Sequence, residues 1–404
     1  PDRLDWRPRA SPRGGEPHRL IPVSALRGGA VRANLLSSVL RMRVFYCDHF
    51  EVVLPPKHRF PMHKYALLRE RLVAEGLVDA RELHPADAAP LDEIHAVHAA
   101  GYVQGFLAGT LERRVVQRIG FPWSEAMVMR SLGSVGSTLA AVDAALEDGL
   151  AGTLAGGTHH AHAGFGSGYC VFNDLAIAAR RHLDRGAVER VLVFDVDVHQ
   201  GDGTASIFEH DPRVFTCSLH GTRNFPSRKM TSELDVPLED GLGDDAYLAA
   251  LDGALDEALE RSRPDLVLYQ GGVDVLEADR LGRLGLSARG CEERDRRALG
   301  AFRAAGLPVA LTLGGGYADP IDASIEAYAG TYRVARELEA PGPATSGSDP
   351  AGRPSGTHDA HPARGEVRER SRRAAGPRDG DGLDRGALGE PDVNEVRGRG
   401  AVAV

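Results

Sequence analysis

The sequence predicts an α/β fold with a single, mostly parallel sheet flanked by helices on both faces. Four short runs rich in Val and Leu end in glycine or polar residues, as buried parallel strands do: RVLVFDVDV, RVFTCSL, DLVLYQGG and LPVALTLGGG, at 190–198, 213–219, 265–272 and 307–316. Segments with helical periodicity lie between them, and strands that alternate with helices build βαβ units. Because such sheets bind ligands at the carboxyl ends of their strands, we expect the functional residues there.

Three segments have the features of helices that cover this sheet. Leucine and valine recur at alternating spacings of three and four residues from Leu132 to Leu146, which gives one apolar helical face. Asn173 precedes DLAIAARRHLDRG, so this segment has an N-cap and a terminal glycine. A third predicted helix begins at Asp244, and the residues on its apolar face are Leu248, Leu251, Leu255 and Leu259.

Composition divides the 404 residues into three parts. Residues 1–41 are rich in Arg and Pro, and the first methionine is Met42, so we expect a flexible N-terminal extension. Residues 42–340 are expected to form the folded domain. Residues 341–404 contain no aromatic residue and no isoleucine. A segment of this composition cannot bury enough apolar surface to offset its ordering entropy, so we expect a disordered tail.

Charge, cysteine spacing and hydropathy disfavour several classes of function. The net charge is −9 and no dense Lys/Arg run stands out in the central region, so direct nucleic-acid binding is not expected. The four cysteines lack CxxC spacing, which indicates neither a disulfide framework nor a thiolate zinc site and favours a reducing, cytoplasmic compartment. No apolar window approaches the ~18 residues of a membrane-spanning helix, so no membrane insertion is expected.

The stretch FDVDVHQGDG places acidic and imidazole side chains after an apolar run. In an extended strand, Asp195, Asp197 and His199 share one face. Buried carboxylates are costly without a cation, and Asp with His suits Zn²⁺ or another borderline divalent ion. Asp274 follows a second apolar run and is the expected third ligand, which leaves coordination positions open for water and substrate. Taken alone, DxDxH is equally typical of a solvated strand end.

Two further motifs suit a hydrolase that uses such a metal. His159 and His160 in AGGTHHAH are suited to take a proton from metal-bound water and to give one to a leaving amine. Asp195 and Asp202 are expected to orient these imidazoles. Tyr317 follows three glycines and is expected to donate to a developing oxyanion. By themselves, the first motif is also typical of a polar loop and the second of a tight turn before a core tyrosine.

Four motifs resemble, in chain order, those of the zinc-dependent histone deacetylase superfamily: GGTHHAHAGFGSGYCVFND, FDVDVHQGDGT, GGVDVLEADRLGRL and LGGGY. Two stretches, DRLGRL and FPMHKYALLRERL, are most similar to its class IV and related bacterial members. The resemblance spans about residues 42–339. It implies the arginase/deacetylase-like three-layer fold and a deacetylase-like catalytic domain at 42–340. The matching residues are Asp197, His199 and Asp274 as zinc ligands, His160 with Asp202 as general base and its carboxylate, His159 with Asp195 as acid or electrostatic partner, and Tyr317 as oxyanion donor.

The resemblance also implies substrate and cation sites. The residues expected to bind substrate, largely as walls of an acyl-lysine tunnel, are Gly168, Tyr169, Phe225 and Gly315. Those expected to hold a structural monovalent cation, commonly K⁺, are Asp195, Ser218 and Leu219.

Two positions differ from many relatives. Gln200 stands where a second histidine is common, although the pattern assigns catalysis to the earlier histidine pair. Lys64 takes the place of an arginine near the acetate exit, and Lys and Arg are not interchangeable anion partners.

The expected activity is the metal-dependent removal of an acyl group, principally acetyl, from a lysine side chain in a protein. Two alternatives stay open: an amidohydrolase for acetylpolyamines or other small acetylated amines, and a non-catalytic acyl-ligand binder of the same fold. A dimanganese arginase-like site is disfavoured because it needs Asp-x-His-x-Asp with further acids, whereas Asp202 lies three residues after His199. Zn²⁺ is the expected ion, Fe²⁺ is the alternative, and the oligomeric state stays open.

Overall fold

A single sheet of eight strands lies at the centre of residues 42–339, the part of the chain that the structure, a computed structural model, describes. The predicted extension at 1–41 and the predicted tail at 341–404 lie outside the described residues. In chain order the strands are β1 (Val44–Tyr46), β2 (Leu83–Pro85), β3 (Leu150–Thr153), β4 (Val191–Asp195), β5 (Val214–Gly221), β6 (Leu234–Leu238), β7 (Leu266–Gln270) and β8 (Val309–Thr312).

The strands pair in the order β2-β1-β3-β8-β7-β4-β5-β6, and every pairing in this sheet is parallel. The predicted α/β class is therefore confirmed. The four predicted strands correspond to β4, β5, β7 and β8. They include three neighbours near the middle of the sheet, β8, β7 and β4, where burial on both faces produces continuous apolar runs.

Ten helices accompany the sheet within the described residues. They are α1 (Lys64–Ala74), α2 (Leu91–His95), α3 (Ala100–Leu107), α4 (Arg113–Ile119), α5 (Glu125–Asp148), α6 (Asp174–Asp184), α7 (Asp202–Phe208), α8 (Asp244–Ser262), α9 (Ala288–Ala304) and α10 (Asp322–Glu339).

Helices pack on both faces of the sheet and form two apolar cores. Along β4, Leu192 and Phe194 contribute to the core that contains residues of α8, α9 and α10. Val191 and Val193 contribute to the other core, with residues of α5 and α6. Because successive strand side chains alternate between faces, one strand supplies both cores.

The three predicted helices are α5, α6 and α8. Helix α5 begins after Ser124, whose side chain accepts the Met127 N–H at 3.0 Å, and ends at Gly149 with φ +86°. Helix α6 begins after Asn173, whose side chain accepts the Ala176 N–H at 2.9 Å. The C-cap of α5 and the N-cap of α6 therefore fix the two helix ends that flank the AGGTHHAH segment.

Candidate active site

The predicted functional residues follow four strands that are neighbours in the sheet: β3, β8, β7 and β4. The histidine pair follows β3, Tyr317 follows β8, Asp274 follows β7, and the DVDVH segment leaves β4 at Asp195. Since all of these strands are parallel, their carboxyl ends meet at one edge of the sheet. The structure therefore brings the motifs together from four separate parts of the chain.

The DVDVH segment is a strand only as far as Asp195, which corrects the prediction that the strand continues through His199. A carboxylate oxygen of Asp195 accepts the Asp197 N–H at 3.1 Å, and one of Asp197 accepts the His199 N–H at 3.0 Å. Such bonds compete with the β-ladder and turn the chain. Val196 and Val198 nevertheless stay in the core on the α8 side, so the predicted alternation of buried faces persists.

Asp197, His199 and Asp274 form a buried cluster whose ligand atoms all lie within 4.8 Å of one another. Nδ1 of His199 is 3.0 Å from Oδ1 of Asp197 and 3.0 Å from Oδ2 of Asp274. The Gly315 N–H donates to Oδ2 of Asp197 at 2.7 Å, and the Val198 N–H donates to Oδ1 of Asp274 at 2.9 Å. These backbone bonds fix the orientation of both carboxylates.

The electrostatics of this cluster fit a divalent cation. Burial lowers the pKa of His199, but hydrogen bonds to Asp197 and Asp274 outweigh this effect and raise it to about 10. Burial and the neighbouring Asp197 raise the pKa of Asp274 to about 7. Two carboxylates that lie this close out of water favour a positive charge between them. Ligands of a tetrahedral zinc ion lie about 3.3 Å apart, close to the 3.0 Å between Nδ1 of His199 and each carboxylate, and an Asp₂His set suits zinc or iron.

The adjacent histidines each bond to a different carboxylate. Nδ1 of His159 is 2.7 Å from Oδ2 of Asp195, and Nδ1 of His160 is 2.6 Å from Oδ1 of Asp202. The two rings lie 4.1 Å apart, and the ring of His160 is 5.8 Å from that of His199. With each Nδ1–H donated to a carboxylate, Nε2 is the atom of each ring that is left for substrate or water.

These environments separate the protonation states of the two histidines. Burial and the nearby charge of His159 lower the pKa of His160 to about 4. Burial also lowers the pKa of His159, but Asp195 and Asp197 outweigh it and raise it to about 9. At neutral pH, one imidazole is thus able to accept a proton while its neighbour carries one, which is the division of roles that acid–base catalysis needs.

His162 is a third histidine that the sequence reasoning did not assign. Its Nε2 lies 3.1 Å from Oδ2 of Asp202, so this carboxylate holds two imidazoles. Burial acts to raise the pKa of Asp202, but the bonds to His160 and His162 keep it below its usual range. His98 accepts the Asn173 N–H at 2.9 Å and bonds through Nδ1 to the His162 carbonyl at 3.0 Å. The HxH spacing in HHAH was the signal for this network.

Tyr317 is positioned by the glycines before it and by a half-buried aspartate. Gly314 has φ +77°, and a Cβ on Gly315 would lie 1.8 Å from Oδ2 of Asp274. Only glycine allows the loop to approach the ligand so closely. The Tyr317 N–H donates to Oδ2 of Asp279 at 2.6 Å. Burial and the carboxylates of the cluster raise the pKa of Tyr317, so its phenol remains a hydrogen-bond donor.

The predicted tunnel residues lie beside the histidine pair. Gly168 and Tyr169 line the same cavity as the metal cluster and Tyr317, and both have positive φ, +54° and +65°. The ring of Phe225 meets that of His160 edge-on at 4.8 Å. A Cβ on Gly168 would lie 2.6 Å from the His160 ring and 3.2 Å from that of Phe225, which explains the glycine.

A family model of the histone deacetylase domain matches residues 58–331, which include every residue of the cluster, the histidine pair and Tyr317. The chain belongs to the histone deacetylase family.

Individual proteins and a solved structure are similar to this chain over most of its length. The deacetylase-family chain is 44% identical over 295 residues to an uncharacterised protein of Picosynechococcus sp., covering 73% of this chain and 98% of that protein. It is 28% identical over 291 residues to histone deacetylase 2 of Arabidopsis thaliana, covering 69% and 75% of the two chains. The crystal structure of an HDAC homolog complexed with SAHA superposes with a TM-score of 0.65 at 26% identity, covering 74% of this chain and 84% of that chain.

Two other positions considered in the sequence, the predicted monovalent-cation site and Gln200, have defined neighbours in the structure. Asp195 in β4 pairs with Ser218 in β5, and Leu219 follows, so the residues of the predicted monovalent-cation site are neighbours in the sheet. Gln200, which replaces a histidine of many relatives, donates to the Met230 carbonyl at 2.7 Å and accepts the Met230 N–H at 2.8 Å. In this deacetylase-family protein, Gln200 therefore anchors the loop that carries Phe225.

Arg130 lines a cavity that adjoins the pocket of the metal cluster, and Lys64 is not among the residues that line this cavity. This cavity is lined by Arg130, Phe60, Tyr65 and Tyr169 among others. Lys64 is buried under the glycine loop, where Nζ donates to the carbonyls of Gly314 at 3.2 Å and Gly316 at 3.4 Å. Burial lowers the pKa of Lys64 to about 8 despite the nearby carboxylates. The expectation that Lys64 takes the place of an arginine near the acetate exit stays a prediction.

Arg294 connects the two loops that carry the metal-ligand candidates, and the sequence reasoning missed it. This residue of α9 is fully buried, and its Nη1 donates to the Gly272 carbonyl at 2.6 Å and the Val196 carbonyl at 3.4 Å. Its Nε donates to Asp295 at 2.8 Å. One guanidinium thus fixes the backbone next to Asp197 and two residues before Asp274.

We expect Arg294→Lys to weaken metal binding about 10- to 100-fold, because lysine keeps the charge beside Asp295 but cannot hold both loops as a planar fork does. Competition with a chromophoric chelator measures the affinity. Arg297→Lys, on the same helix but paired with Glu293 and Asp252 nearer the surface, is the matched control and should bind metal normally. An unchanged affinity in a folded Arg294→Lys protein would show that Arg294 does not position the ligands.

Proposed function

We propose that this protein is a metal-dependent amidohydrolase that removes an acyl group, principally acetyl, from the side-chain amine of lysine in a protein. The observation that carries the proposal is the convergence of the Asp197–His199–Asp274 cluster with a histidine pair in which each imidazole is held by its own carboxylate. Zn²⁺ is the proposed ion, and Fe²⁺ fits the same donors. When bound there, the ion would act as a Lewis acid on the amide carbonyl and lower the pKa of water.

Each group of the chain then has a defined task. Asp202 holds Nδ1–H of His160, so the neutral Nε2 takes the proton of the attacking water. Protonated His159, held by Asp195, gives a proton to the amine as the C–N bond breaks. The phenol of Tyr317 donates a hydrogen bond to the oxygen on which negative charge develops. The acyl group leaves as a carboxylate and the lysine as an amine.

The observations favour this mechanism over the alternatives. Within residues 42–339, one group of three or more residues has the spacing of a metal site, which supports a mononuclear site over an arginase-like pair of ions. A non-catalytic binder would not need the histidine pair and its two orienting carboxylates. Asp195, Ser218 and Leu219 are proposed to bind K⁺ as a structural ion.

The proposed location takes account of the helices and the cysteines of the described residues. Among the helices of residues 42–339, none combines the length and the hydrophobicity that a membrane crossing requires. We retain the cytoplasm as the proposed location because the described cysteines are all free thiols. Direct nucleic-acid binding is not part of the proposal.

A substrate panel tests the proposed function. An acetyl-lysine peptide, a long-acyl-lysine peptide and an acetylpolyamine would be incubated with metal-loaded protein, with and without a chelator. We expect chelator-sensitive turnover of the acetyl-lysine peptide. Metal-loaded protein that hydrolyses none of the three would overturn the assignment as an amidohydrolase.

We expect Tyr317→Phe to lower kcat by about two to three decades, since an oxyanion donor is worth roughly 3 to 4 kcal/mol of barrier. The metal content should stay the same, because Tyr317 is not one of the ligand candidates. Steady-state kinetics with a metal assay on the same sample measures both effects. Tyr332→Phe, a buried tyrosine that bonds to the Thr153 carbonyl, is the control and should keep its kcat. Equal turnover by Tyr317→Phe and the parent would exclude this role.

A further inference from the structure

The loops around the entrance of the active site carry a positive charge in a chain that is negative as a whole. The pocket of the metal cluster and an outer cleft share Phe60 and Tyr317, so the cleft adjoins the site. This cleft is also lined by Lys57, Arg59 and Arg280. Cations at this position would face the residues next to an acylated lysine, or the rest of a small acylated amine.

Five segments border this entrance. Segments 52–63 and 317–322 contain Phe60 and Tyr317, which line the pocket of the metal cluster. Segment 222–230 contains Phe225, whose ring contacts that of His160. Carbonyls of segment 112–121 accept the N–H groups of Gly168 and Tyr169, and Asp279 of segment 276–283 accepts the N–H of Tyr317. Together these segments contain ten Lys and Arg residues and five Asp and Glu residues, a formal charge of +5, whereas the whole chain has −9. The segments around the entrance are therefore basic in a chain that is acidic as a whole, although Arg223 and Arg283 both pair with Asp240 outside these segments.

Several of these cations are free to bind a ligand. Lys57, Arg59 and Arg118 are exposed and form no ion pair with a carboxylate within residues 42–339. The guanidinium of Arg118 lies 3.9 Å from the ring centroid of Phe165, next to the tunnel segment. Among the acids, Asp279 is engaged by the backbone, since it accepts the N–H groups of Leu281 and Gly282 in addition to that of Tyr317. Glu277 and Asp322 are exposed and form no ion pair within residues 42–339.

Asp319 is one of the exposed acids of the rim, and it pairs with a cation. It lies 3.4 Å from Arg280. Among the residues that line the cleft, the other acid is Asp322 at the start of α10. A polycationic amine that approached the tunnel would thus meet unpaired positive charges and, of the acids that line the cleft, only Asp322 without an ion pair. An anionic chain would meet complementary charge, which steers encounter and lowers KM.

We propose that Lys57, Arg59 and Arg118 select acyl-lysine substrates whose neighbouring residues are acidic, and that they disfavour acylated polyamines. This inference rests on the proposed amidohydrolase function and names the substrate class of the same site. The charge of the entrance distinguishes two substrate classes that the sequence leaves open, acyl-lysine in a protein and acylated polyamines. Both would use the same reaction centre, but they differ in the charge that surrounds the acylated amine.

The test compares four substrates on the metal-loaded full chain: acetyl-lysine peptides of equal length flanked by Glu, Ser or Lys, and monoacetylspermidine. We expect kcat/KM for the Glu peptide to exceed that for the Lys peptide by roughly tenfold or more at low salt, and the ratio to shrink as ionic strength rises. In a Lys57→Ser/Arg59→Ser/Arg118→Ser variant the ratio should approach one.

A second triple variant serves as the control. Arg185, Arg190 and Arg261 are exposed arginines just before the amino ends of β4 and β7, at the opposite edge of the sheet, and replacing them by Ser should leave the Glu-to-Lys ratio unchanged. Equal kcat/KM for the three peptides, or monoacetylspermidine as the best substrate, would overturn the selection by charge while the hydrolase function stands. No turnover of any substrate would instead overturn the proposed function.

Discussion

Replacing Asp274 by alanine is expected to remove both metal binding and hydrolysis. The change deletes one of three ligand atoms that lie within 4.8 Å of one another and leaves a two-ligand site. Metal activation is worth several kcal/mol of barrier, so kcat/KM should fall by at least about a thousandfold. Elemental analysis of the purified variant and kinetics at a fixed metal concentration measure the two effects.

Asp319→Ala is the matched control for this variant. Asp319 lines the cleft beside Tyr317, but it pairs with Arg280 and is not one of the ligand candidates. It should keep the metal content of the parent. If Asp274→Ala still held one tightly bound ion per chain and turned over normally, the ligand set would be wrong.

Replacing His160 by alanine is expected to lower kcat by about two to four decades, which is the usual contribution of a positioned general base. The metal content should stay the same, because His160 bonds to Asp202 and is not part of the Asp197–His199–Asp274 cluster. Pre-steady-state and steady-state kinetics with an acetyl-lysine peptide measure the loss in the chemical step.

His159→Ala separates the roles of the two imidazoles. An aryl ester of acetate has a leaving group that needs no proton, so His159→Ala should hydrolyse it at nearly the parental rate, whereas His160→Ala should not. The physical basis is the difference in pKa, about 9 for His159 and about 4 for His160. Equal defects of both variants on the ester and the amide would contradict the division into a base and an acid.

The strands that carry the site were predictable from sequence because they are buried on both faces. Helices cover β4 and β7 on both sides, so their apolar runs are long enough to recognise and end where polar residues begin. Strands β1, β2, β3 and β6 were not predicted. They have three to five residues each, and sequences such as LHP and LAGT lack a strand signature.

The supporting residues were hidden because their partners are remote in sequence. Arg294 bonds to a carbonyl 98 residues earlier, and Arg130 lies 2.9 Å from the sulfur of Cys47, 83 residues away. In the sequence, Arg294 belongs to the charged run EERDRR, which is typical of a solvated helix face. A ligand motif is contiguous in sequence and can be recognised there. The side chains that orient the ligands are distant in sequence, because they belong to other elements that pack against the motif.

The most direct test is the titration of chelator-treated protein with Zn²⁺ while the hydrolysis of an acetyl-lysine peptide is followed. The three-ligand cluster predicts that activity rises from the background in proportion to added metal and reaches its plateau at one ion per chain. Full activity before any metal is added, or a plateau only at two ions per chain, would contradict a mononuclear metal hydrolase.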